Sequence, residues 1–419
     1  MTENIKKLFS SEPIKSAFAY IKNDEEHTLQ QQLELVQIPS CYNCEKDRAL
    51  HFRSMIEAEG YETYMDDAWN VYTVIRGTGN GPTLYVSAHL DTVFPMETPL
   101  EITRKGNIIS VPGIADDTRG LAEILCLLRA IREAQLKPVG DIIIGGDVGE
   151  ESLGDLRGMK HFFKENRDRV DAFVSIDAAC PVLCYGGTGS YRYKITFHGP
   201  GGHSYNAFGL VNPIHAMGRA IAYISEIRTQ ENPKATFSVG VVEGGTSINA
   251  IPSACNMLVD MRSDDKDALI SVEKEFLTCL EKAVQDENDR WIEERKWKQG
   301  SIGKFDTEAR IIMDIKKIGD RPVGHQPKDY DIVPYVAEAF EICGITPDYM
   351  PSGSTDANVP LSLGIPAVTI AGGGFGGNGH ALNEYYDCTD AYKGVQKNLL
   401  VLFNLIGLSG VSEPQIPKR

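Results

Sequence analysis

Residues 28–37 read as a helix, and over residues 46–59 hydrophobic positions recur at helical spacing, leaving one apolar and one polar face. Ile38-Pro39 stops the first run and Gly60 the second, because proline cannot continue a helix and glycine suits its C-terminal end. The period then shortens to that of strands. Tyr72-Thr-Val-Ile-Arg reads as a strand, Gly77 to Pro82 as a turn, and Thr83-Leu-Tyr-Val-Ser as a buried strand. Helices are predicted over Gly120 to Ala134 and Arg157 to Glu165, and strands over Asp141 to Gly145 and Ala172 to Ile176. This alternation predicts an α/β domain with a mostly parallel sheet and helices on both faces.

The pattern changes near Gly186-Gly-Thr-Gly189. Tyr191 to Phe197 alternates like a half-exposed strand, Pro213 to Glu226 is helical, and Ala235 to Val242 and Ala254 to Arg262 are strands. A charged helix from Lys266 to Gln285 and a strand near Ala309 to Ile315 complete a β-α-β-β-α-β order, a small α+β unit. Helix and strand alternate again afterwards, over Tyr330 to Cys343 and Ala367 to Ala371. The expected organisation is one α/β domain, 1–187 with 323–419, interrupted by an inserted α+β domain at 188–322.

At 419 residues, with 42% hydrophobic and 24% charged positions, the chain is large enough for two or three cores. Its net charge of −16 argues against a nucleic-acid partner, which needs a basic face. The N-terminus lacks the apolar stretch of a signal peptide, and no run approaches the roughly 18 apolar residues of a membrane span. Nine cysteines, several isolated among apolar neighbours as at Cys126, Cys279 and Cys343, read as free thiols in a reducing compartment. A cytoplasmic protein is expected. Cys41-Tyr-Asn-Cys44 is a C-x-x-C, yet Cys180 and Cys184 do not repeat its spacing, and it follows a helix and Pro39 rather than opening a helix after a first strand. The favoured reading is coincidence, with redox chemistry as the alternative.

Acidic and imidazole side chains recur where strands end. His89 and Asp91 follow the strand at Thr83, and on a continuing strand would share a face, so that the carboxylate could fix the ring's tautomer. Asp116-Asp117 stands at a helix entrance, where an aspartate also serves as a cap. Glu150-Glu151 follows the strand at Asp141, Asp177 ends the strand at Ala172, and His380 follows the strand at Ala367. Ligands of open α/β sheets gather at the carboxyl ends of strands. Mixed nitrogen and oxygen donors suit zinc, and more than four of them suggest two ions.

As a set, H-x-D, G-x-x-D-D, G-E-E, a strand-closing Asp and a late His resemble the M20 family of metallopeptidases and deacylases across nearly the whole chain. That family includes peptidase T, glutamate carboxypeptidases, aminoacylases and acetylornithine deacetylases. The resemblance implies that His89 and Asp177 bind one Zn2+, that Glu151 and His380 bind another, and that Asp116 bridges them, with Co2+ or Mn2+ as substitutes. It makes Glu150 the general base and Asp91 the orienting carboxylate. It also makes the insertion a lid and dimerisation domain, with His203 in Gly-Gly-His-Ser reaching a partner subunit's site in a homodimer. Asn249 and Arg262 match substrate-binding positions, and Gly353 to Asn358 a loop near the site. Two positions depart from the family pattern: Thr118-Arg119 stands where a lysine is usual, and Ala178-Ala179 where peptidases often carry glycine.

The implied reaction is hydrolysis of an amide bond in a small peptide by metal-activated water, with an N-acyl amino acid deacylase as the alternative. Asp177 tilts towards peptidase, since deacylases of the family more often carry glutamate there. A non-catalytic relative is disfavoured by the intact Glu150 and donor set. The glycines from Gly372 to Gly377 lack the Lys-Ser/Thr of a phosphate loop.

Overall fold

The computed structural model of the protein describes residues 1–177, 179–298, 309–330 and 332–419, with only the backbone of 292–298. The chain forms two units, Met1–Gly187 with Gly324–Arg419, and Thr188–Val323.

The first unit is built on an eight-stranded sheet. In spatial order its strands are Thr63–Met65, Val71–Ile75, Asp141–Asp147, Thr83–His89, Ala172–Ile176, Ala367–Ile370, Val182–Cys184 and Asp348–Met350. The four central strands run parallel to one another. Ala172–Ile176 and Ala367–Ile370 are buried at every position, which explains their mostly apolar sequence, with Ser175 and Thr369 as the polar exceptions. Successive side chains serve opposite faces. Leu84, Val86 and Ala88 join a core with Leu125 and Leu128 of helix Thr118–Glu133 and Leu399 and Phe403 of helix Tyr392–Ile406. On the other face Tyr85 meets Phe162 of helix Arg157–Asn166, their ring centroids 4.2 Å apart. Both faces are thus covered, as an α/β sheet requires.

Two N-terminal helices, Glu3–Ser10 and Glu12–Asn23, bury Ile5, Leu8, Ile14, Ala17 and Ile21 in the first core. A small second sheet in this unit pairs Phe375–Gly377 with Tyr385–Asp387, and the latter with Ile108–Ser110, antiparallel. Cys41 and Cys44 span a turn in which the Cys44 N–H donates to the Cys41 carbonyl at 2.9 Å. Burial pushes the Cys41 thiol up to about 11, away from the thiolate that redox chemistry needs.

The second unit holds an antiparallel sheet in the order Ala235–Gly244, Ala254–Ser263, Gly189–His198, Ile312–Arg321. Ala254–Ser263 alternates buried and half-buried positions, because helices Pro213–Ser225 and Lys266–Lys298 cover one face only. Met217, Ala220, Phe276 and Leu280 pack there against Phe197, Met257 and Met261. The charged helix predicted to end at Gln285 continues to Lys298, and the strand predicted from Ala309 begins at Ile312. Among the described residues no helix is long and apolar enough to cross a membrane.

Candidate metal centre

Strand Thr83–His89 ends with the His89 ring fully inside the protein. The ring's Nδ1 lies 3.0 Å from the backbone carbonyl of Asp91. A carbonyl only accepts, so Nδ1 carries a proton, which leaves Nε2 as the nitrogen that would present its lone pair to a bound cation. That nitrogen lies 2.8 Å from Asp116 Oδ1 and 4.0 Å from Asp177 Oδ1. The sequence expectation had the Asp91 carboxylate orienting this ring. The strand stops at His89, and the nearer partner of Nδ1 is the Asp91 carbonyl, with the Asp91 carboxylate Oδ1 4.0 Å from the same nitrogen.

The Asp91 carboxylate has closer partners as well. It accepts the backbone N–H groups of Gly149 at 2.8 Å, Glu150 at 3.1 Å and Glu151 at 2.8 Å. One buried anion therefore fixes the turn that carries both glutamates, and charge-assisted bonds of this kind are the stronger class.

The paired aspartates divide their tasks. Asp117 is the N-cap of helix Thr118–Glu133: its Oδ1 accepts from Gly120 N–H at 3.1 Å and its Oδ2 from His89 N–H at 3.2 Å. Asp116 faces the cluster, with Oδ1 on His89 and Oδ2 3.1 Å from His380 Nε2. His380 also meets Glu151 Oε1 at 2.9 Å, and its side chain is 56% exposed. Donor atoms of His89, Asp116 and Asp177 lie within 4.8 Å of one another, as do those of Asp116, Glu151 and His380, and those of His89, Glu150 and Glu151.

The chemistry of this donor set fits a divalent cation. Burial first, then the charges of Asp116 and Glu151, push the Asp177 carboxyl up to about 7. Hydrogen bonds to Asp116 and Glu151 push the His380 ring up to about 10. Such shifts mark an anionic cluster in want of countercharge, and imidazole with carboxylate is a zinc-compatible ligand mixture.

Asp147 lay outside the sequence reading, which named Arg119 and the Gly353 to Asn358 loop without giving Arg119 or Asp356 a role. Asp147 ends its strand beside His89, and Ser87 donates to its carboxylate. The strand's Gly145-Gly146 had read as its end, which hid Asp147. Asp356, in the Gly353 to Asn358 loop, is fully buried and raised well above the usual carboxylate range by burial, then by Asp147 and Glu150. Arg119 is buried and donates to the carbonyls of Gly372 at 2.7 Å and Ala391 at 3.3 Å, clasping the segment that contains His380. Ala178 lies outside the described residues.

His203, Asn249 and Arg262 belong to the second unit. His203 is exposed on a two-stranded ladder with Ala250, and its Nδ1 accepts from Tyr205 N–H at 3.2 Å. A neutral ring so held carries its proton on Nε2. Asn249 is adjacent, its carbonyl accepting from Ser204 N–H at 2.9 Å. Arg262 stands on strand Ala254–Ser263 with Nε 2.8 Å from Asp260.

Residues 85–402 match the profile of Peptidase family M20/M25/M40. The acetylornithine deacetylase of Myxococcus xanthus is 25% identical over 345 residues, covering 77% of this chain and 82% of that protein. A tripeptidase from Staphylococcus aureus superposes with a TM-score of 0.71 at 21% identity, over 91% of this chain and 98% of its own. Aminopeptidase PepT from Bacillus cereus superposes with a TM-score of 0.69 at 21% identity, over 90% and 97%. At such identities the superpositions speak for a common fold, and the profile carries the kinship. Because that match runs through most of the chain, the protein belongs to peptidase family M20/M25/M40, a family of metal-dependent hydrolases.

Proposed function

We propose that the protein is a two-zinc peptidase that hydrolyses an amide bond in di- or tripeptides, acting in the cytoplasm as a homodimer. The observation that carries this reading is the convergence of two donor sets on Asp116, with Glu150 beside them. His89 and Asp177 would hold one ion, Glu151 and His380 the other, and Asp116 both. A bound divalent ion lowers the pKa of water and polarises a carbonyl oxygen.

The chain's own groups supply the rest. Glu150, 6% exposed, takes a proton from the attacking water and returns it to the leaving amine. Its carboxylate lies within 4.8 Å of donor atoms of His89 and Glu151, beside the place the ions would occupy. His203 offers its Nε2 proton to the developing oxyanion, a contribution typically worth about 3–4 kcal/mol. Arg262, with its planar fork, and Asn249 receive the substrate carboxylate.

The relative from Myxococcus xanthus favours a second reading, an N-acyl amino acid deacylase with the same machinery. Metal analysis together with hydrolysis rates for a tripeptide, a dipeptide and an N-acetyl amino acid separates the two. Two ions per chain with peptide turnover are expected. Turnover of the acetylated substrate alone would transfer the protein to the deacylases, and a metal-free active enzyme would end both readings.

The insertion is assigned as lid and dimerisation domain. Ala235–Gly244 is an edge strand of its sheet and exposes Val241 and Val242, a surface suited to a second copy. Mixing inactive Glu150→Gln subunits with inactive His203→Ala subunits should restore part of the activity if His203 serves its partner's site. No recovery despite proven subunit exchange would confine His203 to its own chain.

A further inference from the structure

Glu384 has no place in the chemistry above, yet its side chain is fully buried beside Asp116. Its Oε2 accepts the N–H of Gly113 at 2.8 Å, and its Oε1 accepts those of Ala115 at 2.8 Å and Asp116 at 3.1 Å. Four residues earlier in the chain stands His380, and the carbonyls of Asn378 and Ala381 close successive turns between the two. One short segment thus carries an imidazole of the cluster and also grips the backbone of the carboxylate that imidazole meets.

We propose that Glu384 is a positioning residue that sets the placement of the Asp116 carboxylate against the His380 ring. The inference rests on the metal reading above. Its geometry is closed on three sides. Both segments leave the same ladder, where Ile109 is paired with Tyr386: Gly113 follows that strand on one side, and Glu384 precedes its partner on the other. Arg119, three residues beyond Asp116, holds the carbonyls of Gly372 and Ala391, which bracket the His380 segment. Between these two anchorages Glu384 supplies the tie nearest to both metal-site residues.

The tie demands a carboxylate. All three partners are N–H donors shared between two oxygens, so each oxygen must accept. Glutamine keeps the length but replaces one oxygen with NH2, which sets donor against donor at Gly113 or at the Ala115–Asp116 pair. Aspartate keeps the charge and is one methylene too short to reach both. A buried carboxylate satisfied by three N–H groups could equally act only on global stability, and the two roles differ in what they change. A stabilising role shifts the unfolding of metal-free protein and leaves the affinity of folded protein unaltered. A positioning role changes the affinity itself, because groups that orient metal ligands typically account for about 10- to 100-fold in binding.

The experiment is a Co2+ titration of metal-stripped full-length protein, wild type against Glu384→Gln, read by competition with a chromophoric chelator and by the visible absorption of bound Co2+. Thermal unfolding of each metal-free protein is recorded in parallel. The expected result is Co2+ binding weakened by about 10- to 100-fold, with an altered visible spectrum at temperatures where the variant is folded. Unchanged affinity and spectrum, whatever the unfolding temperature, would overturn the proposal. Should the glutamine variant not fold, Glu384→Asp enters the same titration under the same criteria. Wild-type protein that binds no Co2+ or Zn2+ would bring down the metal reading itself, an outcome distinct from a variant that matches a metal-binding wild type.

Discussion

Glu150→Gln is expected to keep its metal and lose turnover by roughly 10²-fold or more. The substitution preserves the side chain's shape and removes only its capacity to accept and return a proton. The geometry makes this a sharp test, because Glu150, Glu151 and His89 also offer three donor atoms within 4.8 Å. Were Glu150 a ligand, the amide would bind a cation poorly and metal content would fall together with turnover. Metal content measured on the same sample as the rate therefore separates base from ligand. Near-normal activity with full metal would require another group to move the proton.

The neighbouring aspartates should respond in opposite ways. Asp116→Ala removes the carboxylate that meets both His89 and His380, so cation affinity should fall by more than the roughly 10- to 100-fold typical of an outer partner. Its folded state should otherwise survive, since the helix cap is intact. Asp117→Ala strips that cap and should lower stability by about 0.5–2 kcal/mol while leaving the cation's own donors in place. Dialysis followed by metal analysis, with denaturant unfolding of the stripped proteins, reads both effects. An Asp116→Ala protein that retains two ions would refute the bridging role.

These cases mark what could be read without a structure. Strand ends were legible because buried parallel strands are mostly apolar, and the charged or imidazole residue that closes such a run stands out. His89, Asp177 and the pair after the strand at Asp141 were found that way. Roles that depend on the backbone left no such trace. The Asp91 carbonyl on His89, the Asp91 carboxylate on three N–H groups, and Glu384 on three more follow from turns, and no spacing of residue types encodes a turn's exact path. The strands of the small second sheet are three residues each, too short for a period. The N-terminal helices carried a usable signal in Ile5, Leu8, Ile14 and Ile21, with Thr2 as a cap accepting from Ile5 N–H. The long helix Tyr392–Ile406 is buried along most of its length, with Lys397, Asn398 and Asn404 buried among its apolar residues.

The insertion between the two stretches of the first unit has a consequence for how the molecule comes into being on the ribosome. Strand Ala172–Ile176 emerges well before its neighbour Ala367–Ile370, and the whole second unit is synthesised between them. Until then that strand presents an open apolar edge, the kind of surface on which nascent chains stick to one another. His380 and the helix Tyr392–Ile406 arrive later still, and that helix packs against Glu3–Ser10 from the opposite end of the chain. A truncated translation product would therefore own most of the donors yet lack both the last imidazole and the central helix. In the proposed site, a bound ion would join early and late segments of the chain only once both exist.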